Sequence, residues 1–280
     1  MGAQTELTFS VVIPVHNEAV MLARTAPALM AATRAHDAEI IYVLNGTTDQ
    51  SADVIAQVFG ENATILILED ASKTHALNAG DAHARHFPRF YLDADITLHP
   101  DALRILAEPL VKGDTDLTAA PILPISNGSW AARHVARIWG ALPYTRLHAF
   151  QCCIGLSHAG RARWQDWPDM IADDLFAASC IPDDRKRLCD AVQTEMPVPG
   201  SLGAWVGVRA RWIRGQREFE ARWPECLPKG VGQRAALWGL LRSPRNWIGV
   251  ALFAGVWGLA HVKARWAPKA GWYRDDTIRF

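Results

Sequence analysis

The chain lacks several features that would settle its class at once. Its five cysteines contain no C-x-x-C pair and form no zinc spacing, and Cys152 and Cys153 are adjacent. A disulfide scaffold, a thioredoxin-like redox site and a zinc ribbon are therefore excluded, and the thiols read as reduced core residues. No charged-then-apolar leader is present: Met1 to Thr8 is polar, and the first apolar run, Phe9 to Val15, has the length of a strand. The body of the protein is accordingly expected in the cytoplasm. No G-x-G-x-x-G follows that first strand, where Val15-His16-Asn17-Glu18 stands instead. The similar string from Gly230 to Ala235 follows Pro228-Lys229 and not a strand. A dinucleotide-dependent dehydrogenase is excluded on that ground. Net charge is also absent, with 29 Lys+Arg against 29 Asp+Glu, and no tryptophan precedes Trp130 although the chain has twelve.

The last two absences conceal an asymmetry. From Ser201 onward there are 14 Lys+Arg and 5 Asp+Glu, a net charge of +9, so the first 200 residues carry −9. An acidic body followed by a basic, tryptophan-rich end points to an anionic surface partner. With 280 residues, half of them hydrophobic and 21% charged, the chain is long enough for one large folded domain with an appendage.

Four strand-like runs alternate with helical segments in the first hundred residues. Thr8–Val15 is β-branched and nearly continuous in hydrophobicity, and Glu39–Leu44, Thr64–Leu68 and Arg89–Leu92 are short and largely apolar. Helices are expected over Glu18 to His36, where Pro27 marks a kink or an early start, and after Asn45-Gly46-Thr47-Thr48-Asp49, where Asp49 or Ser51 is the candidate N-cap. A third is expected over Lys73 to His86. This alternation predicts βαβ units and a parallel sheet. A helix from Pro100 to Val111 and a strand over Asp116 to Leu123 follow.

The fourth run, Phe90-Tyr91-Leu92-Asp93-Ala94-Asp95-Ile96, delivers two carboxylates at a strand end, where open α/β sheets bind ligands. Paired hard oxygens suit Mg²⁺ or Mn²⁺ and hence a diphosphate, although two acids can also simply solvate a strand end. Farther on, Asp173 and Asp174 sit among Met170, Ile171, Leu175 and Phe176. At least one of them is expected to face a cavity or to cap a helix.

Taken in order, these residues resemble the inverting GT-A type glycosyltransferases of family two. Val12-Ile13-Pro14-Val15-His16-Asn17-Glu18 is similar to the family's first strand, and Asn45 to Asp49 resembles its second turn. Lys73-Thr74-His75-Ala76-Leu77-Asn78-Ala79-Gly80 resembles its K-x-x-A-L-N-x-G helix, and Asp93-Ala94-Asp95 its metal motif. Gly155 to Arg161 is similar to its acceptor loop, Asp173-Asp174 to its E-D pair with Asp in place of Glu, and Arg209 to Gly215 to its Q-x-x-R-W segment. The resemblance covers roughly residues 8 to 220. It implies a Rossmann-like, mostly parallel sheet flanked by helices, with a nucleotide-binding half to about residue 120 and an acceptor half over 121–228; the basic, tryptophan-rich segment 229–280 is expected to be a helical, membrane-associating appendage.

The resemblance further implies sugar transfer from a nucleoside-diphosphate sugar, expected to be UDP-linked, to a lipid-linked or saccharide hydroxyl, as in polysaccharide assembly. Donor contacts carry over to Pro14, His16, Asn17, Glu18, Asn45, Asp49, Lys73, Asn78, Asp93, Ala94, Asp95, Arg211, Trp212 and Arg214. Asp93 and Asp95 become the ligands of Mg²⁺ or Mn²⁺, Asp174 the catalytic base and Asp173 its orienting neighbour. Leu44 and Asn45 stand where many members have an acidic pair that meets the base, and only the Asn45 amide is offered there. The arginines can also be a solvated stripe, and Trp164, Trp167 and Trp212 can be core. A nucleotidyltransferase and an inactive membrane scaffold on the same fold are the competing readings.

Trp247 to Ala260 is apolar and uncharged between Arg242 and Arg245 on one side and Lys263 and Arg265 on the other. At the lower limit of a bilayer span, it is expected to lie on or briefly enter the inner face of the cell membrane, with contact through 229–265. Val231 to Leu241 is expected to be a surface helix. Burial or a dimer interface is the alternative, and no nucleic-acid motif is present.

Overall fold

The computed structural model describes residues 6–146, 152–226 and 232–266. The expected boundary at 228 and the chain end after 266 lie outside them. The described chain forms two compact units, one of residues 1–122, 151–169 and 180–195, the other of 123–150, 170–179 and 196–280.

The first unit begins β1 (Thr8–Val15), α1 (Ala19–Thr33), β2 (Asp37–Asn45), α2 (Ser51–Phe59), β3 (Thr64–Leu68), α3 (Lys73–His83) and β4 (Arg89–Leu92). β5 (Thr97–Leu98), α4 (Ala102–Val111) and β6 (Leu117–Ala119) follow. β1, β3 and β4 have the limits their hydrophobic runs predict. The chain then enters the second unit through β7 (Ile122–Ile125) and α5 (Trp130–Gly140), and returns with β8 (Cys153–Leu156) and α6 (His158–Arg161). After α7 (Asp173–Ser179) in the second unit come β9 (Lys186–Leu188) and β10 (Thr194–Pro197), and then α8 (Leu202–Arg222), α9 (Gln233–Leu241) and α10 (Trp247–Trp266).

The main sheet has seven strands in the order β3-β2-β1-β4-β8-β6-β9. β3, β2, β1 and β4 are mutually parallel, β8 runs antiparallel to β4 and β6, and β9 is parallel to β6. The chain winds outward from β1 through β2 to β3 and then crosses back to β4 on the other side of β1. The strand order therefore reverses between β1 and β4, and their carboxyl ends flank the switch point at which such sheets bind ligands. α3 makes that return crossing and packs closely on the sheet, since a Cβ at Gly80 would lie 2.3 Å from Val12 Cγ1. Pro14 is buried in β1 beyond Val12, the last residue paired with β4, so its missing N–H interrupts no bond on that side.

Three expectations are corrected. The run Asp116 to Leu123 is two strands, because pairing breaks at Ala120-Pro121 and β7 joins a separate three-stranded sheet. The α3 helix ends at His83, with Ala84 extended. The α2 N-cap position is Gln50, not Asp49 or Ser51. Asp49 still does capping work from one residue farther back, its Oδ1 accepting from Ser51 N at 3.0 Å and Ser51 Oγ at 2.6 Å.

In the second unit, α10 packs along α8 and α5. Ala210 and Ile213 of α8 meet Ala260 and Ala264 of α10, and a Cβ at Gly249 would lie 2.8 Å from Ile138 of α5. Trp139 stacks on Trp212 at 5.8 Å and meets Trp205 edge-on at 5.9 Å. Tryptophan here fills the space between helices.

Candidate active site

Because β1, β2, β3 and β4 are parallel, the turns that follow them share one edge of the sheet. Those turns hold His16–Glu18, Asn45–Asp49, Lys73 and Asp93–Asp95, and the structure divides these residues into two sets.

One set holds the turns together. Asn17 adopts a positive φ of 54° and its Oδ1 accepts from Thr48 N at 2.7 Å, Thr48 Oγ1 at 3.2 Å and Asp49 N at 3.1 Å. Asp49 Oδ2 in turn accepts from Ala19 N at 3.0 Å. His16 Nδ1 donates to Asn45 O at 2.6 Å, and Asn45 Nδ2 donates to Val15 O at 2.9 Å. Asn45 is only 4% exposed, so the fold itself uses the amide nitrogen that the sequence offered to a base edge. A buried amide is expected to be paired in this way.

The other set consists of charges. Lys73, the first residue of α3, places Nζ 2.7 Å from Asp93 Oδ1. Asp93 N donates to Cys152 O at 2.9 Å, and Thr25 Oγ1 donates to Ala94 O at 2.8 Å, so the residue just before β8 and helix α1 hold the backbone of the motif. Part of the Asp95 surface reaches solvent, yet protein surrounds its carboxyl on most sides. Burial, reinforced by the Asp93 and Glu18 carboxylates and only partly offset by Lys73, pushes its pKa up to about 7.

Such a cluster resists a second negative charge at neutral pH and would accept a cation. Among the described residues no three His, Cys, Asp or Glu side chains converge as a closed metal cage. Ions of the Mg²⁺ type are commonly held by one or two carboxylates and completed by substrate phosphate oxygens.

Asn78 and a residue that the sequence reading passed over, Asp81, act one helical turn apart on α3. Asn78 Oδ1 accepts from Trp167 N at 2.7 Å, and its Nδ2 donates to Trp167 O at 3.1 Å. Asp81 accepts from Arg89 Nη1 at 2.5 Å, Arg161 Nε at 2.8 Å, Tyr91 Oη at 2.5 Å and Trp167 Nε1 at 2.7 Å. Trp167 is thus held by backbone and ring, and it stacks edge-on with Tyr91 and Trp164. Neither tryptophan is a free platform. The only signal for Asp81 in the sequence was its spacing of three from Asn78.

In the second unit, Asp173 and Asp174 open α7. Asp173 is buried, and Asp174 Oδ1 accepts from Leu175 N at 2.8 Å. Burial pushes the nearby Tyr144 hydroxyl up to about 12, with Arg209 opposing that shift and Asp174 adding to it. Arg211, Trp212 and Arg214 lie on α8, where Trp212 is committed to Trp139.

Residues 10–164 match the family model described as glycosyl transferase family 2. The chain belongs to that family and is a glycosyltransferase. Among solved structures it resembles the mannosyltransferase PcManGT from Pyrobaculum calidifontis, in complex with GDP-Man and Mn²⁺. The identity is 19%, over 95% of this chain and 88% of that one, with a TM-score of 0.62. S. aureus TarS 1–349 with UDP-GlcNAc is 12% identical over 92% and 91%, with a TM-score of 0.54. Glucosyl-3-phosphoglycerate synthase from Mycobacterium tuberculosis, in complex with phosphoglyceric acid, is 17% identical over 80% and 81%, with a TM-score of 0.53. These likenesses carry the fold beyond the matched segment. No curated protein matches the sequence.

Proposed function

We propose that this glycosyltransferase inverts the anomeric centre, moving a sugar from a nucleoside-diphosphate sugar to a hydroxyl of a lipid-linked or saccharide acceptor in a single displacement at the inner face of the cell membrane. The observation that carries the reading is the cluster of Glu18, Lys73, Asp93 and Asp95 beside the β1/β4 switch point in a family 2 chain. The donor is UDP-linked in this reading, its nucleotide contacted by the turns after β1 and β2. Residues to about 120 serve the donor, 121–228 the acceptor and 229–280 attachment.

Asp93 and Asp95 would hold Mg²⁺ or Mn²⁺, which when bound supplies Lewis-acid stabilisation of the charge on the departing diphosphate. Lys73 pairs with Asp93 and orients it, and Cys152 and Thr25 fix the backbone that carries both acids. The residues of the first set, Asn17, Asn45 and Asp49, keep the donor-facing turns rigid before substrate arrives, which lowers the ordering cost of binding. Arg211 and Arg214 contribute cationic contacts to phosphate. Asp174 accepts the proton of the attacking acceptor hydroxyl from the face opposite the leaving group, and Asp173 orients it.

A thermal-shift screen of nucleoside diphosphates with and without Mn²⁺ tests the donor side, because selective binding raises the melting temperature with ligand concentration. A cation-dependent shift with UDP supports the assignment. A shift with nucleoside triphosphates alone, together with pyrophosphate release on turnover, would identify a nucleotidyltransferase.

A further inference from the structure

Pro244–Trp266 is the one helical stretch among the described residues long and apolar enough to cross a membrane. Its packing argues for a different disposition. Gly249, Phe253, Val256, Ala260 and Ala264 form a buried stripe at helical spacing, facing α5 and α8. Arg209 of α8, 4% exposed, lays its guanidinium 3.5 Å from the centre of the Trp257 ring, a cation–π contact inside the unit. Asn246 Nδ2 and Trp247 Nε1 donate to Leu240 O and Leu241 O, and Arg137 Nη2 donates to Arg245 O. These bonds hold the turn between α9 and α10 against the unit.

If α10 spanned a bilayer, α8 would have to enter the hydrocarbon beside it. That helix carries Arg209, Arg211, Arg214, Arg217 and Glu218, and intramembrane charge of that density is prohibitive.

The opposite stripe of α10 is also apolar but uncovered. Ile248, Leu259, Val262 and Trp266 are 55–84% exposed, and Trp238 of α9 is 72% exposed. Exposed Arg242, Arg245, Lys263 and Arg265 flank the stripe. From Leu227 to Arg274 the sequence contains eight Lys or Arg and no Asp or Glu.

We infer that this face docks the protein flat on an anionic bilayer surface. α10 lies in the plane of the headgroups, its Ile248–Trp266 stripe enters the acyl boundary, and the flanking cations pair with lipid phosphates. A symmetric contact of this face with its own copy would set cations against cations, since this stretch supplies no acids. The inference deepens the membrane placement proposed above and is independent of the transferase chemistry.

The test is co-sedimentation of the full-length protein with phosphatidylcholine vesicles and with mixed phosphatidylcholine–phosphatidylglycerol vesicles, alongside the nucleoside-diphosphate thermal shift as a separate readout of the donor site. The wild type is expected to bind the mixed vesicles, to bind pure phosphatidylcholine more weakly and to be released by alkaline carbonate. Ile248→Ser with Leu259→Ser should lower the vesicle partition roughly tenfold or more per side chain. Lys263→Gln with Arg265→Gln should lower it roughly fivefold per cation, an effect that salt removes. Both variants should keep the wild-type melting temperature and nucleotide shift, since the altered side chains are exposed.

Absence of vesicle binding, or variants that bind as well as wild type, would overturn the inference. Carbonate-resistant insertion would overturn it in favour of a span. Self-association without vesicle binding, abolished by Ile248→Ser with Leu259→Ser, would show a dimer face instead. None of these outcomes alters the nucleotide shift, so a failed docking face and a failed transferase reading remain distinguishable.

Discussion

The two units solve the same problem, how to keep polar groups inside a fold, by different means. In the first unit Asn17, Asn45, Asp49, Asn78 and Asp81 are paired with amides, carbonyls, guanidinium groups and an indole N–H. Asp95 is the exception there, a carboxyl raised to about 7 beside two other acids. Among the described residues of the second unit one carboxylate, Asp173, and one cation, Arg209, are buried, and Arg209 lies over aromatic faces with burial lowering its pKa. Carboxylates crowded together under partial burial mark a place for a cationic ligand. A cation shielded by rings marks a structural clamp.

The largest expected effect falls on chemistry. Asp174→Asn keeps size and hydrogen bonding but removes basicity, and turnover should fall roughly 10²- to 10⁴-fold. The nucleotide thermal shift should stay unchanged on the same preparation. Near-normal turnover would move the base elsewhere.

Asp95→Ala should abolish the Mn²⁺-dependent part of donor binding and lower transfer roughly 10²- to 10³-fold, the scale of losing a preorganised electrostatic contact. The comparison between satisfied and residual charge breaks if this variant binds donor with normal Mn²⁺ stimulation.

A third substitution addresses the satisfied side. Asp81→Ala leaves Arg89 and Arg161, whose side chains are 8% and 12% exposed, without their shared carboxylate. A cost of about 3–5 kcal/mol in denaturant unfolding is expected, as for any buried pair broken from one side. A negligible change would show that the hub contributes nothing to the fold.

The smallest effect is a pH dependence. Hydrogen bonds from Arg185 and Ser157, helped by Arg163 and against the cost of burial, hold the Asp116 carboxyl below its ordinary value. A depressed carboxyl contributes stability that is complete above its unfolded pKa of about 4 and is lost as pH falls through the folded value. Asp116→Asn should therefore flatten the acid limb of melting temperature against pH while lowering stability at neutral pH.

Much of the first unit is legible in the chain. Thr8–Val15, Thr64–Leu68 and Arg89–Leu92 are strands with the limits their apolar runs set, because a strand buried on both faces needs little beyond hydrophobicity. Asp93 and Asp95 at the end of β4 and Lys73 at the start of α3 follow from that alternation. The roles of Asn45, Asn17 and Asp49 were not legible, since their partners are backbone atoms some 30 residues away in sequence. Nor was Asp81, whose four partners converge from Arg89, Tyr91, Arg161 and Trp167 only once the sheet has formed. The two stripes of α10 share one apolar alphabet. Composition alone could not say which of them the protein covers.

The central claim is inversion by direct displacement from a nucleoside-diphosphate sugar, and proton NMR of the anomeric signal during wild-type turnover, with the released nucleotide identified in the same tube, tests it most directly. The account predicts that an α-linked donor gives a β-linked product from its first appearance, with stoichiometric release of nucleoside diphosphate. A product that retains the donor's configuration, or release of pyrophosphate in place of the diphosphate, would contradict it.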